Sequence, residues 1–152
     1  GGSSGLMGQL ADGVLAAGGQ IKGIMPQFMN EVEWGHRGVS DFVYTETMHE
    51  RKQMMAEKAD AFVALPGGIG TFEEFYEVWT WRQLGYHNKP IGLLNTAGYY
   101  DPMLSFLSSV VQREFMGEWQ MDLIQAHADL STLLPNLIQA AGMPIKFQSE
   151  AI

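Results

Sequence analysis

The sequence predicts an α/β fold, a parallel sheet with helices on both faces. Three observations carry that expectation. Short apolar runs that fit strands alternate with stretches of helical periodicity along the chain, which is the pattern of βαβ units. One run, Ala61-Phe62-Val63-Ala64-Leu65, reads as a fully buried strand and leads through Pro66-Gly67-Gly68-Ile69-Gly70 into a helical pattern from Thr71 to Leu84. The composition, 46% hydrophobic and 17% charged over 152 residues, is ordinary for one soluble globular domain with a sizeable core. That domain is assigned to residues 1–141, with 142–152 as a tail that carries no clear signal.

Leu6, Leu10, Val14 and Ala17 recur at helical spacing, and Gly18-Gly19 stops the pattern. Gln20 to Met25 is a short strand closed by Pro26. Residues 27–38 form a loop or short helix carrying Glu31, Glu33, Trp34, His36 and Arg37, and such mixed loops often line sites. Asp41 to Thr45 is a strand, and Thr47 is placed to cap a helix from Met48 to Ala59, with Met48, Met55 and Ala59 in its buried stripe. The methionines there are read as packing. The helix after the glycine turn buries Phe72, Phe75 and Trp79, while Tyr76, Trp81 and Leu84 widen its apolar surface. A helix apolar on two sides needs two partners, its own sheet and a second copy of the chain. Lys89 to Asn95 is a further buried strand, followed by a turn at 98–102, a helix from Met103 to Phe115, a strand near Asp122 to Ala126 and a helix from Ser131 to Ala141.

Net charge and residue types exclude several functions. A formal charge of −8 and a pI near 4.8 argue against nucleic acid or an anionic membrane as partner, so any phosphate site must be locally basic. The absence of cysteine removes disulfide and thiolate chemistry, and no apolar run is long enough to span a membrane. A cytoplasmic protein is the simplest reading. Gly1-Gly2-Ser3-Ser4-Gly5 reads either as an appended linker or as the start of a domain that lacks its N-terminal strands, and the second is the expectation adopted. His36, His49, His87 and His127 are scattered without ligand spacing, so no metal site is predicted, and His49 is read as exposed.

The chemistry is concentrated around residues 66–74. Gly67, Gly68 and Gly70 remove the side chains that would keep a ligand off the backbone, and the unpaired N–H groups of the following helix face the same space. Phosphate suits such a place, at a junction where ligands of parallel α/β sheets collect. Glu73, Glu74 and Glu77 add carboxylates to the first two turns of the expected helix. Two readings stand side by side. In one, the acids complement the helix dipole and Thr71-x-x-Glu74 is a capping box. In the other, one carboxylate faces the ligand. Arg51-Lys52 has a similar duality, either a solvated helix face or part of the site.

Met48-His49-Glu50-Arg51-Lys52 followed by Pro66-Gly67-Gly68-Ile69-Gly70-Thr71-Phe72-Glu73-Glu74 resembles the paired signatures of the LOG (LONELY GUY) family, the cytokinin riboside 5'-monophosphate phosphoribohydrolases, whose members are often mislabelled lysine decarboxylases. Gly1 to Gly8 resembles the family's glycine-rich turn, and Trp79 to Gly85 with Lys89 to Asn95 resembles its later core. The resemblance covers roughly Gly1 to Phe115. It implies a Rossmann-like homodimer, with the site near the subunit interface, that hydrolyses the N-glycosidic bond of a purine nucleoside 5'-monophosphate to free base and ribose 5-phosphate without cofactor or metal. Carried over residue by residue, the resemblance puts catalysis on Arg51 and Glu74. It puts nucleotide contacts on Lys52, Gly68, Ile69, Gly70, Thr71, Glu73 and Thr80, with Gly67 in the same turn. Glu33 falls on a further ligand-contacting glutamate of the family, although its neighbours differ and a plain loop acid is the alternative.

A non-catalytic carrier of nucleotide or molybdenum cofactor on the same fold is the rival reading, and retention of Arg51 with Glu74 favours the enzyme. Lysine decarboxylation needs a Schiff-base lysine and an acidic partner for the pyridine nitrogen of pyridoxal phosphate, and the sequence offers no setting for either. P-G-G-x-G-T also differs from the G-x-G-x-x-G of nicotinamide dehydrogenases.

Overall fold

The structure is a computed structural model that describes residues 2–31, 35–36, 38–39 and 41–143. It divides into two compact units, Gly1–Lys58 and Ala59–Ile152. All named strands run parallel within their sheets, one sheet in each unit, so the expected fold class is borne out.

In the first unit, helix α1 (Gly5–Ala16) precedes strand β1 (Lys22–Pro26), which pairs in parallel with β2 (Asp41–Thr45), and helix α2 (Met48–Lys58) follows. Lys22 stands opposite Asp41 in the register, and their side chains form an ion pair at 2.5 Å. Gly23 to Pro26 are buried, so β1 is the more deeply buried of the two strands. Thr47 caps α2 as expected. Its Oγ1 accepts the Glu50 N–H at 3.1 Å while Glu50 Oε2 accepts the Thr47 N–H at 3.4 Å, which makes a reciprocal capping box. The expected buried methionine stripe of α2 is not formed. No residue of α2 is fully buried, and Met48 and Met55 are each 36% exposed. The sequence of α2, with His49, Glu50, Arg51, Lys52, Gln53, Glu57 and Lys58, has too few apolar positions to define one dry face.

In the second unit, strands β3 (Phe62–Ala64), β4 (Ile91–Leu94) and β5 (Ile124–His127) lie side by side in that order. Helix α3 (Ile69–Gln83) connects β3 to β4. Helices α4 (Asp101–Gln112) and α5 (Glu118–Met121) connect β4 to β5, and α6 (Leu130–Ala140) follows β5. Strand side chains alternate between faces, and the two faces of β4 show it. Ile91 and Leu93 join Phe75 and Trp79 of α3, Tyr100, and Leu107 of α4 in one core cluster. Gly92, between them, faces Leu133 and Leu137 of α6 so closely that an added Cβ would sit 2.7 Å from Leu137. Helices therefore cover both faces of this sheet. Strand β3 is not fully buried as expected. Phe62 and Ala64 are half-buried against the cluster, but Val63, on the other face, is 38% exposed because β3 is an edge strand. No helix among the described residues is long and apolar enough to cross a membrane.

Candidate active site

Residues 65–68 carry the chain from the end of β3 to the start of α3. Gly68 is the N-cap, extended at φ −89° and ψ −157°, and the first helical bond runs from the Phe72 N–H to the Gly68 carbonyl at 3.2 Å. Among the described residues no side chain caps the helix. The N–H groups of Ile69, Gly70 and Thr71 therefore have no partner in the helical ladder. Gly68, Ile69 and Gly70 are exposed, and no atom lies within 4 Å of where a Cβ would stand on Gly68 or Gly70. Open backbone donors at the positive end of a 15-residue helix make an anion-receiving turn.

The expected Thr71-x-x-Glu74 capping box is absent, because α3 starts two residues earlier than the periodicity suggests and Thr71 lies inside its first turn. Gly68 supplies the extended cap conformation, and the Thr71 side chain packs against Gly67, where any Cβ would collide with Thr71 Oγ1. The shift also moves the acids. Glu73, Glu74 and Glu77 all fall beyond the first turn, where the dipole's pull on a carboxylate has faded. The capping account of Glu74 is thereby removed. What remains is a half-buried carboxylate one turn past the open donors, with Glu73 exposed beside it.

Two adjacent tyrosines brace the turn from the far end of β4. Tyr100 Oη donates to the Leu65 carbonyl at 2.6 Å, and Tyr99 Oη donates to the Gly67 carbonyl at 2.5 Å. Asn95 sets their position: its Oδ1 accepts the Tyr100 N–H at 2.7 Å and its Nδ2 donates to Asp101 at 2.7 Å. Burial, and Tyr99 beside it, push the Tyr100 phenol above its ordinary value, so it remains a donor. The sequence reading took residues 98–102 only as a turn. The available signal was a Tyr-Tyr pair following a buried strand that neighbours β3, since side chains at adjacent strand ends of a parallel sheet meet.

In the first unit, Arg51 is not simply on a solvated face. It is half-buried, and its Nε donates to the Ile24 carbonyl of β1 at 3.2 Å, fixing the guanidinium stem to the sheet. Lys52 next to it is also half-buried. His49 is exposed. Of the other sequence-derived candidates, Thr80 is exposed on α3 and its hydroxyl donates back to the Tyr76 carbonyl at 2.7 Å. Glu33 lies outside the described residues. The structure thus gathers Gly67 to Thr71, Glu73, Glu74 and Thr80 on one strand–turn–helix segment of the second unit, and Arg51 with Lys52 on α2 of the first.

A parallel α/β architecture of Rossmann-like class, with an uncapped glycine turn and an acid on the helix it opens, is the class that fold and site define. The family described as possible lysine decarboxylase matches residues 7–137, and the chain belongs to it, the LOG family whose paired signatures it carries. The chain is similar to a cytokinin riboside 5'-monophosphate phosphoribohydrolase of Arabidopsis thaliana, 42% identical over 134 residues, 88% of this chain and 63% of that protein. A protein of the same name from Rhodococcoides fascians is 47% identical over 113 residues, 74% of this chain and 57% of its own. The rice enzyme LOG is 48% identical over 118 residues, 78% of this chain and 49% of its own. The chain spans about half to two thirds of these relatives' lengths.

Proposed function

We propose that the protein hydrolyses the N-glycosidic bond of a purine nucleoside 5'-monophosphate, with adenine or an N6-modified adenine as base, to free base and ribose 5-phosphate. The observation that carries this reading is the uncapped turn at Gly68 to Thr71 with the half-buried Glu74 one turn along the same helix. The names of the relatives support the substrate and the reaction.

In this reading the N–H groups of Ile69, Gly70 and Thr71 receive the 5'-phosphate, aided by Lys52, and Glu73 and Thr80 contact the nucleotide from α3. Breaking the C1'–N9 bond sends the electron pair to the base and leaves positive charge on the ribosyl ring. The Glu74 carboxylate stabilises that charge and takes a proton from the water whose oxygen bonds to C1'. The departing purine takes up a proton from solvent and Glu74 returns its proton to solvent, so that one water is consumed. The Arg51 guanidinium offsets charge on the departing base or clasps the phosphate bidentately. Anchoring of Arg51 Nε to the Ile24 carbonyl, with Nη1 donating to Met48 Sδ at 3.8 Å, suits this role because it holds the guanidinium on a fixed stem. The protein acts in the cytoplasm as a homodimer with the site near the subunit interface. Ile69 at the start of α3 and Leu84 at its C-cap, 88% and 62% exposed, leave apolar side chains at both ends of the helix for such an interface.

The test is to incubate the protein with AMP and with an N6-isoprenylated AMP and to separate the products. The proposal expects free base and ribose 5-phosphate in equal amounts. Nucleotide bound without any release of base would favour the carrier reading instead.

A further inference from the structure

We propose that Tyr99 is a positioning residue for phosphate recognition: its hydroxyl holds the Gly67 carbonyl turned away from the anion space, so that the turn presents donors only. The inference rests on the assignment of the turn as the phosphate site under Proposed function. Three observations carry it. First, Tyr100 and Tyr99 donate to the carbonyls of Leu65 and Gly67 respectively, two residues apart. Both hydroxyls therefore hold the turn between β3 and α3 by its carbonyls, on either side of the bend at Pro66. Pro66 between them has no N–H to compete.

Second, Gly67 is enclosed from two directions. The Thr71 side chain fills the space where a Cβ would stand, while the Tyr99 hydroxyl occupies the carbonyl. The peptide plane between Gly67 and Gly68 is therefore held from the Gly67 side. Third, Tyr100 is 1% exposed and belongs to the core cluster, whereas Tyr99 is 45% exposed and does not. Packing accounts for Tyr100. Tyr99 meets the Tyr100 ring edge-on at 5.0 Å, yet it stays largely exposed and its phenol tip is spent on one glycine carbonyl. A carbonyl oxygen swung toward a bound phosphate would repel it, and a phenol donating to that oxygen both neutralises and orients it.

The experiment compares the protein with Tyr99→Phe, which removes one hydroxyl and keeps the ring, and with Tyr86→Phe, a 77% exposed control in the loop after α3. Binding of ribose 5-phosphate is measured by titration calorimetry, and steady-state base release gives KM and kcat. The expected result for Tyr99→Phe is ribose 5-phosphate binding weakened about five- to tenfold, KM raised by a similar factor and kcat within about twofold, with Tyr86→Phe unchanged. A purely structural hydroxyl would lower the melting temperature without altering the affinity of the folded protein. That outcome, unchanged affinity in Tyr99→Phe, or failure of the unaltered protein to bind ribose 5-phosphate would each overturn the inference. Ribose 5-phosphate binding that responds to Tyr99→Phe in a protein that releases no base would leave the inference standing and defeat the hydrolase reading.

Discussion

Gly67 has no room for a side chain, and the reason is a single neighbour. A Cβ at this position would overlap Thr71 Oγ1, and the carbonyl side is already taken by Tyr99. Gly67→Ala should therefore destabilise the second unit by about 1–3 kcal/mol and weaken nucleotide binding, while Gly67→Ala combined with Thr71→Ala should recover part of the lost stability. Urea unfolding of the two variants checks this, and equal stability of both would contradict the packing account. The glycines were legible in the sequence as a turn that admits an anion, but the specific need at Gly67 was not. It arises from a residue four positions along, whose side chain one of the two sequence readings used as a helix cap and which instead presses on the turn. The bracing tyrosines were hidden for a different cause, since each reaches back more than thirty residues to its carbonyl.

Helix α3 shows how an element can be recognised and still begin in the wrong place. Its periodicity was clear, yet threonine is a favoured cap and glycine a poor helix former, so the boundary was expected at Thr71. Gly70 costs little in a first turn whose N–H groups are unpaired in any case. β2, bounded as expected at Asp41–Thr45, was legible because its apolar residues sit between polar neighbours. The far end of α3 is held by groups that periodicity does not reveal. Trp79 Nε1 donates to the Gln120 carbonyl at 3.0 Å, Arg82 Nη1 to the Leu123 carbonyl at 2.6 Å, and His87 Nε2 to the Val78 carbonyl at 2.9 Å.

His87 also accepts the Lys89 N–H on Nδ1 at 3.1 Å, so both bonds require the neutral ring with its proton on Nε2. Burial lowers its pKa from the ordinary 6.5, opposed by the Val78 bond and reinforced by Lys89 and Arg82. Below that ordinary value the unfolded chain binds a proton that the folded ring resists. The stabilisation from neutral His87 is thus complete above pH 6.5 and is lost as pH falls through and below it. The urea midpoint should fall between pH 7 and pH 5 by more in the unaltered protein than in His87→Gln. An identical pH slope in both would refute the assignment.

At the scale of the whole molecule, a net charge of −8 confines any attraction for phosphate to particular places. The proposal assigns that attraction to the backbone donors of the turn at Gly68 to Thr71 and to the adjacent cations Arg51 and Lys52 of α2. Fold class and family were legible because both rest on local patterns, the alternation of strands with helices and two short signatures. Assembly is less so. The proposed homodimer predicts a sedimenting mass about twice 16.9 kDa at micromolar concentration, and a species of 16.9 kDa alone would remove the partner subunit from the site.

In the proposed reaction a guanidinium from α2 and a carboxylate from α3 act on one nucleotide, and a double-mutant cycle on base release can decide whether they do. Arg51→Ala and Glu74→Gln should each lower kcat about a hundredfold or more, and the double variant should be little worse than the weaker of the two, because groups that act as a unit are not additive. Losses that multiply, or full turnover in either single variant, would contradict the claim.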